Sequence, residues 1–493
     1  MDSVWNAAAA LGSWQVLAAA FGGVLWGMLG GALPGISPSI AMALLLPFTV
    51  GMDPTVAIVL LASVYVGAEY GGSIPAILIR TPGTNSASAT VLDGYEMARQ
   101  GKAGEALGIS LVSGLLARLS GVGARVLAPA PGGRRAWAFT PAAGFPLGIL
   151  GLSVIAGLSG GSLMRGLVAA CLGLMFAFVG SDPVSGVARF TFGSPDLLDG
   201  IKPILVMVGL FAVTEMLVQI GESDSVQRIT SVARLKLPDW AMCKRLWRPQ
   251  AIGSVVGTVE GVTPGAGGTV AAFMAYSEAK RWSKHPEEFG KGSPEGIAAP
   301  ETANNVVTAT ALVPLLSLGI PGSNSAAILM GGFLIHGLQP GPMLFQKAPG
   351  VIHGLYGGLF MANIAMLLLG MVVLAPCIWL VNRPKPHLMA GILALVMTGV
   401  YAIHQSVMDL ALVLAIGLLG YGMRLLRIPV LPMVLGLVLG YLVESNYRRS
   451  LQISAGQHSI FFTDPVSAGL LALAVALAAY TGWREFFSKQ EKA

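Results

Sequence analysis

The sequence contains few charged residues: only 11% of its 493 residues are Asp, Glu, Lys or Arg, whereas 54% are hydrophobic. A soluble protein carries about 25% charged residues, and the mean hydropathy of this chain is +0.72. The shortage of charge excludes a soluble globular domain and indicates an integral protein of the lipid bilayer. The net charge of +6 does not indicate a nucleic-acid partner, because Lys and Arg fall in loops between apolar segments, where positive-inside topology explains them.

Cysteine is scarce as well. Cys171, Cys243 and Cys377 lie far apart and show no Cys-x-x-Cys or Cys/His spacing, so the sequence predicts neither a bound metal nor another resident cofactor. The N-terminus lacks the basic segment of a cleaved signal peptide, and we expect the first apolar helix to be retained.

Many apolar stretches approach the length of about 20 residues that a membrane-spanning helix needs. They predict an all-α polytopic membrane protein with roughly ten to twelve spans, some of them broken. We divide the chain into a first membrane half at 1–221, a cytoplasmic linker at 222–249, a second membrane half at 250–381, and C-terminal membrane helices with a tail at 382–493.

Two apolar stretches are interrupted by the same polar signature. The first break, residues 81–87, reads Thr-Pro-Gly-Thr-Asn-Ser-Ala, and the second break, residues 320–326, reads Ile-Pro-Gly-Ser-Asn-Ser-Ala, 239 positions later. A Pro-Gly segment at 34–38 resembles the segment at 260–265 with an offset of 226, so the two halves form an internal repeat. Matching interruptions in the two halves of a membrane protein are typical of transporter binding sites, because freed backbone groups are tolerated in a membrane only around a cavity or inside protein.

The residues of the two breaks favour an anion with a co-transported cation. Helix N-termini present free N–H groups to a carboxylate, while hydroxyl and carbonyl oxygens suit a hard cation such as sodium. For a lone glycine, close helix packing is the better interpretation, but packing does not require an amide beside a hydroxyl, so the two breaks favour a site. The predicted substrate-binding residues are Gly83, Thr84, Asn85, Ser86, Gly322, Ser323, Asn324 and Ser325. The predicted cation ligands are Ser37, Thr263, Asn304 and Asn305. The residues predicted to shape the backbone are Gly35, Pro38, Pro82, Gly261, Pro264, Gly265 and Pro321.

Two acidic residues have open interpretations. Glu301 and the amides that come after it at 304–305 either belong to the site or form a helix cap at the membrane surface. Glu69 lies within an apolar stretch, where an ionisable residue is a functional candidate. It either binds a proton or cation, or it only makes a hydrogen bond to a neighbouring helix.

Segment 250–276 lies between two polar loops, 222–249 and 277–295. If both loops are cytoplasmic, the segment cannot be one simple crossing, and the Thr-Pro-Gly-Ala-Gly-Gly interruption at 263–268 lets the chain turn back. A re-entrant hairpin is therefore one hypothesis and a single span is the other.

Two other functional classes compete with a transporter. An intramembrane serine enzyme is a weak alternative, because Ser162 has only Arg165 at helical spacing and Arg cannot act as a base. A passive anion channel would show polar faces along several helices rather than polar residues concentrated at two breaks.

At these motifs the chain resembles the large permease subunit of the tripartite tricarboxylate transporters, the TctA family. The matching pieces cover nearly the whole chain and lie at 33–35, 70–74, 82–84, 190–193, 198–200, 263–267, 300–305, 319–322 and 336–342. The resemblance implies a bacterial inner-membrane permease for citrate or related carboxylates, coupled to an ion gradient, usually sodium. It also implies a small four-helix membrane subunit, a periplasmic solute-binding protein, and inverted repeats that move as an elevator.

Residues 115–145 depart from this resemblance. Relatives have an apolar helix there, whereas this chain places Arg118, Arg125, Pro129 and Pro131 in the stretch. Each Arg at the centre of a membrane helix costs about 2.5–3.5 kcal/mol. A locally shifted reading frame or an unusual cytoplasmic loop explains the departure.

Overall fold

The computed structural model describes residues 13–127, 141–158, 162–182, 186–221, 234–263 and 267–490. These residues are predominantly helical, as the composition predicts. In chain order the helices are α1 (Trp14–Ala32), α2 (Pro38–Leu45), α3 (Pro54–Ile79), α4 (Val91–Arg99), α5 (Ala103–Leu127), α6 (Pro141–Leu158), α7 (Leu163–Ala177), α8 (Pro203–Met207), α9 (Thr214–Gly221), α10 (Trp240–Val262), α11 (Gly267–Trp282), α12 (Pro294–Thr310), α13 (Leu312–Leu318), α14 (Asn324–Ile335), α15 (Leu344–Lys347), α16 (Pro349–Val372), α17 (Leu374–Val381), α18 (Lys385–His404), α19 (Val407–Leu425), α20 (Leu431–Ile453), α21 (Ile460–Thr463) and α22 (Pro465–Gln490).

Short elements complete the described chain. A π-helical turn at Val208–Val213 joins α8 to α9, and 3₁₀ turns lie at Leu46–Thr49, Asn85–Ser88, Pro195–Leu197 and Pro286–Glu288. Strands β1 (Gly180–Ser181) and β2 (Ala188–Arg189) form one antiparallel pair with Gly180 opposite Arg189.

The chain forms two compact units, and each unit is built from two separate stretches of sequence. Unit 1 comprises Met1–Ala130 with Val218–Ile403, and unit 2 comprises Pro131–Leu217 with His404–Ala493. The sequence division into consecutive halves differs from this arrangement. Its linker at 222–249 also differs, because α10 begins inside it, at Trp240, where the Asp239 side chain accepts a hydrogen bond from the N–H of Met242 and caps the helix.

Six described helices are long and apolar enough to cross a membrane. They are Trp14–Ala32, Pro54–Ile79, Pro203–Gly221, Pro349–Val372, Pro386–His404 and Val407–Leu425. Six further apolar stretches, each of 10–17 described residues, lie in α2 with the turn after it and in α5, α6, α7, α14 and α22.

The departure at 115–145 is helical at both of its ends. Helix α5 continues to Leu127 and α6 starts at Pro141, so both flanks of the stretch are helical. Residues 128–140, which contain both prolines, lie outside the described part of the chain.

In unit 1, helix α1 packs closely on the largely buried α3 through glycines spaced four residues apart. A Cβ atom on Gly23, Gly27 or Gly31 would lie 2.1–2.5 Å from a backbone oxygen of α3. Only glycine permits this approach, which is the small-residue packing typical of membrane helices. Close helix packing therefore accounts for these three glycines.

The same spacing recurs later in unit 1, between α10 and α12. A Cβ atom on Gly253 or Gly257 would lie 2.4 Å from the backbone oxygen of Ala299 or Ala303. On Gly261 it would lie 2.0 Å from the hydroxyl oxygen of Thr310. We call these two sets of three glycines, on α1 and on α10, the glycine ladders.

Helices α10 and α11 form a hairpin around the interruption at 263–268. The start of α10 lies beside the end of α11, because Arg245 forms an ion pair with Glu288 and its Nε lies 3.0 Å from a carboxylate oxygen of Glu295. The described part of the first polar loop, near Arg245, therefore lies beside the second polar loop at one end of the hairpin, as the re-entrant hypothesis requires. Pro264 and Gly265, at the tip, are outside the described residues.

Cysteine labelling tests which side of the membrane this end faces. In a variant whose three native cysteines are replaced, Trp247→Cys and Lys284→Cys are expected to react with an impermeant thiol reagent from the same side, the cytoplasmic one. Both side chains are exposed on the walls of a cavity between the two helices. Labelling of the two positions from opposite sides would show instead that the segment crosses the membrane once.

Unit 2 contains the β-hairpin and a compact cluster of charges. Arg189, on β2, lies 2.8 Å from a carboxylate oxygen of Glu444 on α20, and Arg448 lies 2.9 Å from one of Asp182. Glycines again bring helices together, since a Cβ on Gly173 of α7 would lie 1.9 Å from the oxygen of Met433 on α20. The contact of Arg189 with Glu444 fixes β2, which directly precedes the matching piece at 190–193.

Candidate functional site

The first break begins directly at the end of α3. Pro75 removes one backbone donor near the end of this helix, and Arg80 adopts the left-handed conformation with φ 58°. The N–H groups of Arg80 and Thr81 both donate to the carbonyl of Pro75. The chain then turns back, and the N–H of Gly83 donates to the carbonyl of Gly72, 3.0 Å away.

The second break has the same construction. Pro314 lies inside α13, and Gly319 adopts the left-handed conformation with φ 75°. The N–H of Gly319 donates to the carbonyl of Leu315, and that of Ile320 donates to the carbonyl of Pro314. The Ser323 side chain then caps α14 by accepting from the N–H of Ala326 at 3.1 Å.

The two breaks lead into different kinds of structure. The second leads into α14, a helix of 12 residues. The first leads into a 3₁₀ turn of four residues, Asn85–Ser88, before α4. Only the second break therefore presents a full helix N-terminus, so the expectation of two helix N-termini facing an anion was wrong for the first break.

Each break also lies against the end of a glycine ladder. A Cβ on Gly83 would lie 2.0 Å from the backbone oxygen of Gly31, and one on Gly322 would lie 2.9 Å from that of Gly261. The predicted backbone-shaping role of these glycines thus has a physical basis in close contact between two backbones. Gly35 has φ +87°, and a Cβ there would meet the side chain of Gln219.

Both breaks meet on the same buried helix, α3. The Tyr65 hydroxyl lies 3.3 Å from the Ser323 hydroxyl of the second break. One turn later, Glu69 accepts a hydrogen bond from the Ser86 hydroxyl of the first break at 2.6 Å. Four residues span about 6 Å along a helix. The interruptions that the sequence places 239 residues apart are therefore neighbours in space.

A group of polar side chains surrounds Glu69. Asn304, on α12, donates its Nδ2 to Glu69 Oε2 at 2.9 Å, and the Thr84 hydroxyl lies 3.1 Å from that of Ser86. All four residues are buried. We call Glu69, Thr84, Ser86 and Asn304 the Glu69 cluster; it joins the first break to α12.

Glu301 holds a second group of hydroxyls together. Its carboxylate accepts hydrogen bonds from Ser73 at 2.7 Å, from Ser110 at 2.9 Å, and from Thr90. The residue is only 1% exposed. Several donors stabilise a buried carboxylate that would otherwise be costly to bury. The helix-cap interpretation of Glu301 is wrong, because the residue lies in the middle of α12 rather than at its start.

The predicted substrate residues occupy two environments. Thr84, Ser86, Ser323 and Ser325 are buried. Asn85 and Asn324 are exposed, and neither amide has a hydrogen-bond partner within the described part of the chain. These two amides are therefore available to a ligand. In each break a Pro-Gly pair forms the turn before these polar residues. The pairs are Pro82 with Gly83 and Pro321 with Gly322.

The predicted cation ligands are not brought together as one set. Asn304 belongs to the Glu69 cluster, whereas Asn305 donates to the Glu301 carbonyl at 2.6 Å and lies beside Gly114 of α5. Ser37 accepts from the N–H of Ile40 as the cap of α2, which starts at Pro38. Thr263 is exposed and donates to the Val259 carbonyl. Local backbone contacts thus occupy Ser37 and Thr263.

Sequence reasoning missed the partners of the two carboxylates. Tyr65, Thr90 and Ser110 lie in no motif, and Ser73 lies in the matching piece at 70–74 but was not predicted as a site residue, since single hydroxyls are common in membrane helices. The available signal was Glu69 and Glu301 themselves, because an ionisable residue within an apolar stretch needs buried polar partners. Those partners come from helices far away in the sequence, so spacing along the chain does not identify them.

The comparisons with known proteins agree with the motifs. The family model described as "Tripartite tricarboxylate transporter TctA family" matches residues 17–435. A protein of Agrobacterium vitis, described as an uncharacterized 52.8 kDa protein in the TAR-I ttuC' 3' region, is 36% identical over 473 residues, which cover 96% of this chain and 94% of that protein. A second protein of Agrobacterium vitis, from the TAR-II ttuC' 3' region, is 35% identical over 217 residues, 44% of this chain and 90% of its own length. No solved structure matches the chain.

Proposed function

The chain belongs to the tripartite tricarboxylate transporter TctA family, and we propose that it is the permease subunit for ion-coupled uptake of tricarboxylates or related carboxylates. Sodium is the proposed coupling ion. Membership of a transporter family and the apolar helices make the chain a multi-pass membrane transport protein. The specific cargo, the ion and the bacterial inner membrane belong to the proposal.

The observation that carries this function is the meeting of the two breaks on α3. Transporters of several folds bind their cargo where discontinuous helices expose backbone groups inside the protein. Here the breaks contact positions one turn apart, Tyr65 and Glu69. The exposed amides of Asn85 and Asn324, together with the N-terminus of α14, suit an anionic carboxylate.

Matched contacts in both halves support the proposed repeat. Three pairs of residues, each 239 positions apart, have equivalent roles in the two breaks. The carbonyl groups of Pro75 and Pro314 accept hydrogen bonds, Arg80 and Gly319 are left-handed, and Gly83 and Gly322 lie against a glycine ladder. The two glycine ladders correspond at an offset of 230, which also aligns Pro34-Gly35 with Pro264-Gly265. These contacts favour 230 over the offset of 226 that the motif comparison used. An inverted relation and an elevator movement of the site complete the proposal.

The family description implies partner subunits. We propose a periplasmic solute-binding protein that delivers the carboxylate and a small four-helix membrane subunit that completes the transporter. Both partners rest on the tripartite character of the family.

Uptake by the reconstituted complex tests the coupling. In vesicles that contain this chain with both partner subunits, we expect labelled citrate to accumulate above its external concentration when an inward sodium gradient is applied. An equal potassium gradient is expected to give no accumulation, because only an ion bound together with the cargo can supply free energy to it. The measurement is intravesicular radioactivity with time.

A passive anion channel would behave differently. It would let citrate equilibrate across the vesicle membrane without accumulation and without any effect of the sodium gradient. That result, obtained with all three subunits present, would contradict the proposed function.

A further inference from the structure

The carboxylate of Glu69 is surrounded by uncharged polar side chains from two distant parts of the chain. The Ser86 hydroxyl and the Asn304 amide nitrogen both donate to its Oε2, and the Thr84 hydroxyl adjoins that of Ser86. A hydroxyl that donates its proton keeps lone pairs, so Ser86 and Thr84 can contribute oxygen to a cation at the same time.

One atom of this cluster has an unused hydrogen-bonding capacity. The Oδ1 of Asn304 is buried and has no hydrogen-bond partner within the described residues, and the residue is 2% exposed. The orientation of this amide follows from chemistry, because an ionised carboxylate only accepts and must face the Nδ2. The oxygen therefore points away from Glu69 Oε2, where a buried carbonyl needs a ligand.

Gly268, in the first turn of α11, lies against this amide oxygen. A Cβ atom on Gly268 would lie 2.5 Å from Asn304 Oδ1 and 3.4 Å from the Cβ of Ser86. Glycine at this position thus omits the side-chain atom that would block the amide oxygen on the side of Ser86. This observation is independent of the hydrogen bonds around Glu69.

We propose that Glu69, Ser86 and Asn304 bind the coupling cation, a sodium ion, beside Gly268. One carboxylate, hydroxyls and an amide oxygen are hard oxygen ligands of the kind that such cations prefer. A bound monovalent cation also makes the cluster electrically neutral, which favours burial in a membrane domain. The assignment rests on the proposed function, and it makes Ser86 a cation ligand instead of a substrate ligand.

Glu301 provides an informative contrast. Its carboxylate accepts from three hydroxyls, and the amide of the neighbouring Asn305 donates to its backbone carbonyl. Through these contacts the Glu301 carboxylate links α12 to α3 and α5. The Glu69 cluster differs in having a buried amide oxygen without a partner among the described residues, beside a glycine that carries no side chain to block it.

Thermal unfolding of the purified full-length chain in detergent measures the binding. Sodium chloride replaces choline chloride at constant ionic strength and pH. We expect the unfolding midpoint to rise with sodium and to saturate, because a ligand that binds only the folded state stabilises it by mass action. The sodium concentration at half-saturation gives the apparent affinity.

Two variants alter the site in different ways. Glu69→Gln removes the charge at nearly constant shape, and Gly268→Ala places a methyl group against the Asn304 amide oxygen. Each is expected to weaken the apparent sodium affinity about tenfold or more, since even residues around a metal's direct ligands change affinity by that much. Asn363→Ala is the matched control, because Asn363 is also buried with an amide oxygen that has no partner among the described residues. The control is expected to keep the wild-type sodium response.

Each other outcome overturns the assignment. A wild-type chain whose unfolding midpoint does not change with sodium binds no sodium at this cluster. A normal sodium response in Glu69→Gln places the ion elsewhere. If Glu69→Gln does not fold, Gly268→Ala decides, because a normal response in that variant also refutes the site.

The uptake measurement separates this inference from the proposed function. If wild-type vesicles accumulate citrate in a sodium gradient while Glu69→Gln binds sodium normally, the site is refuted and the function stands. If sodium binding depends on Glu69 but the complete transporter shows no sodium-driven uptake, the function is refuted and the cation site stands.

Discussion

Gly27→Val is expected to destabilise unit 1 strongly and to reduce the yield of folded protein. A Cβ at Gly27 would lie 2.2 Å from the backbone oxygen of Val64 and 2.8 Å from the nitrogen of Ala68, both on α3. These are backbone atoms of a largely buried helix and cannot rotate away as a side chain can, so α1 and α3 must separate. Overpacking a well-packed core costs about 1–3 kcal/mol and sometimes more, and separation of the two helices would place this change at the upper end. The measurement is the monodisperse fraction in size-exclusion chromatography, together with the unfolding midpoint.

Gly22→Val is the matched control in the same helix. Gly22 is exposed, and a Cβ there would meet nothing within 4 Å. Both variants introduce the same β-branched residue into α1, so they share any change in helix propensity, which is below about 1 kcal/mol. Equal behaviour of the two variants would show that the approach of α1 to α3 is not what holds these helices together.

Asn324→Ala and Asn85→Ala are each expected to reduce carboxylate uptake by at least about tenfold, because each removes an amide that faces the proposed cargo at a break. The loss of a hydrogen bond to a charged group is worth about 1.5–3 kcal/mol, and about 1.4 kcal/mol corresponds to a factor of ten. Both amides are exposed and have no hydrogen-bond partner in the described structure, so their removal costs the fold little. Uptake per folded transporter, with an unfolding midpoint close to wild type, is the measurement.

Gln346→Ala is the control for this pair. It removes an exposed amide at α15, outside both breaks, and is expected to leave uptake and stability unchanged. Normal transport by both Asn variants would refute their proposed contact with the substrate. Loss of transport in Gln346→Ala as well would show that the assay reports a general effect on the protein.

Part of the structure of the two breaks was predictable from the sequence. Pro, Gly and the Asn-Ser pair are visible as a repeated pattern because they interrupt apolar stretches. The equivalence of Pro75 with Pro314 was not visible, since an isolated proline in a membrane helix is common. The hydrogen bonds of each proline's carbonyl reveal its role. The structure also shows that the first break opens a 3₁₀ turn, because Thr84 bonds to Ser86 rather than capping a helix as Ser323 does.

Composition and pattern by themselves determined that this is an all-α membrane protein with paired interruptions, because the low charge and the apolar stretches leave no other environment for the chain. The family followed from the order of its motifs. Only the tertiary structure decided which side chains face one another: Glu69 reaches Asn304, and Glu301 reaches Ser73 and Ser110, across more than 190 residues of sequence. A buried carboxylate needs hydrogen-bond donors. The packing of separate helices decides which residues supply them, and local sequence does not determine that packing.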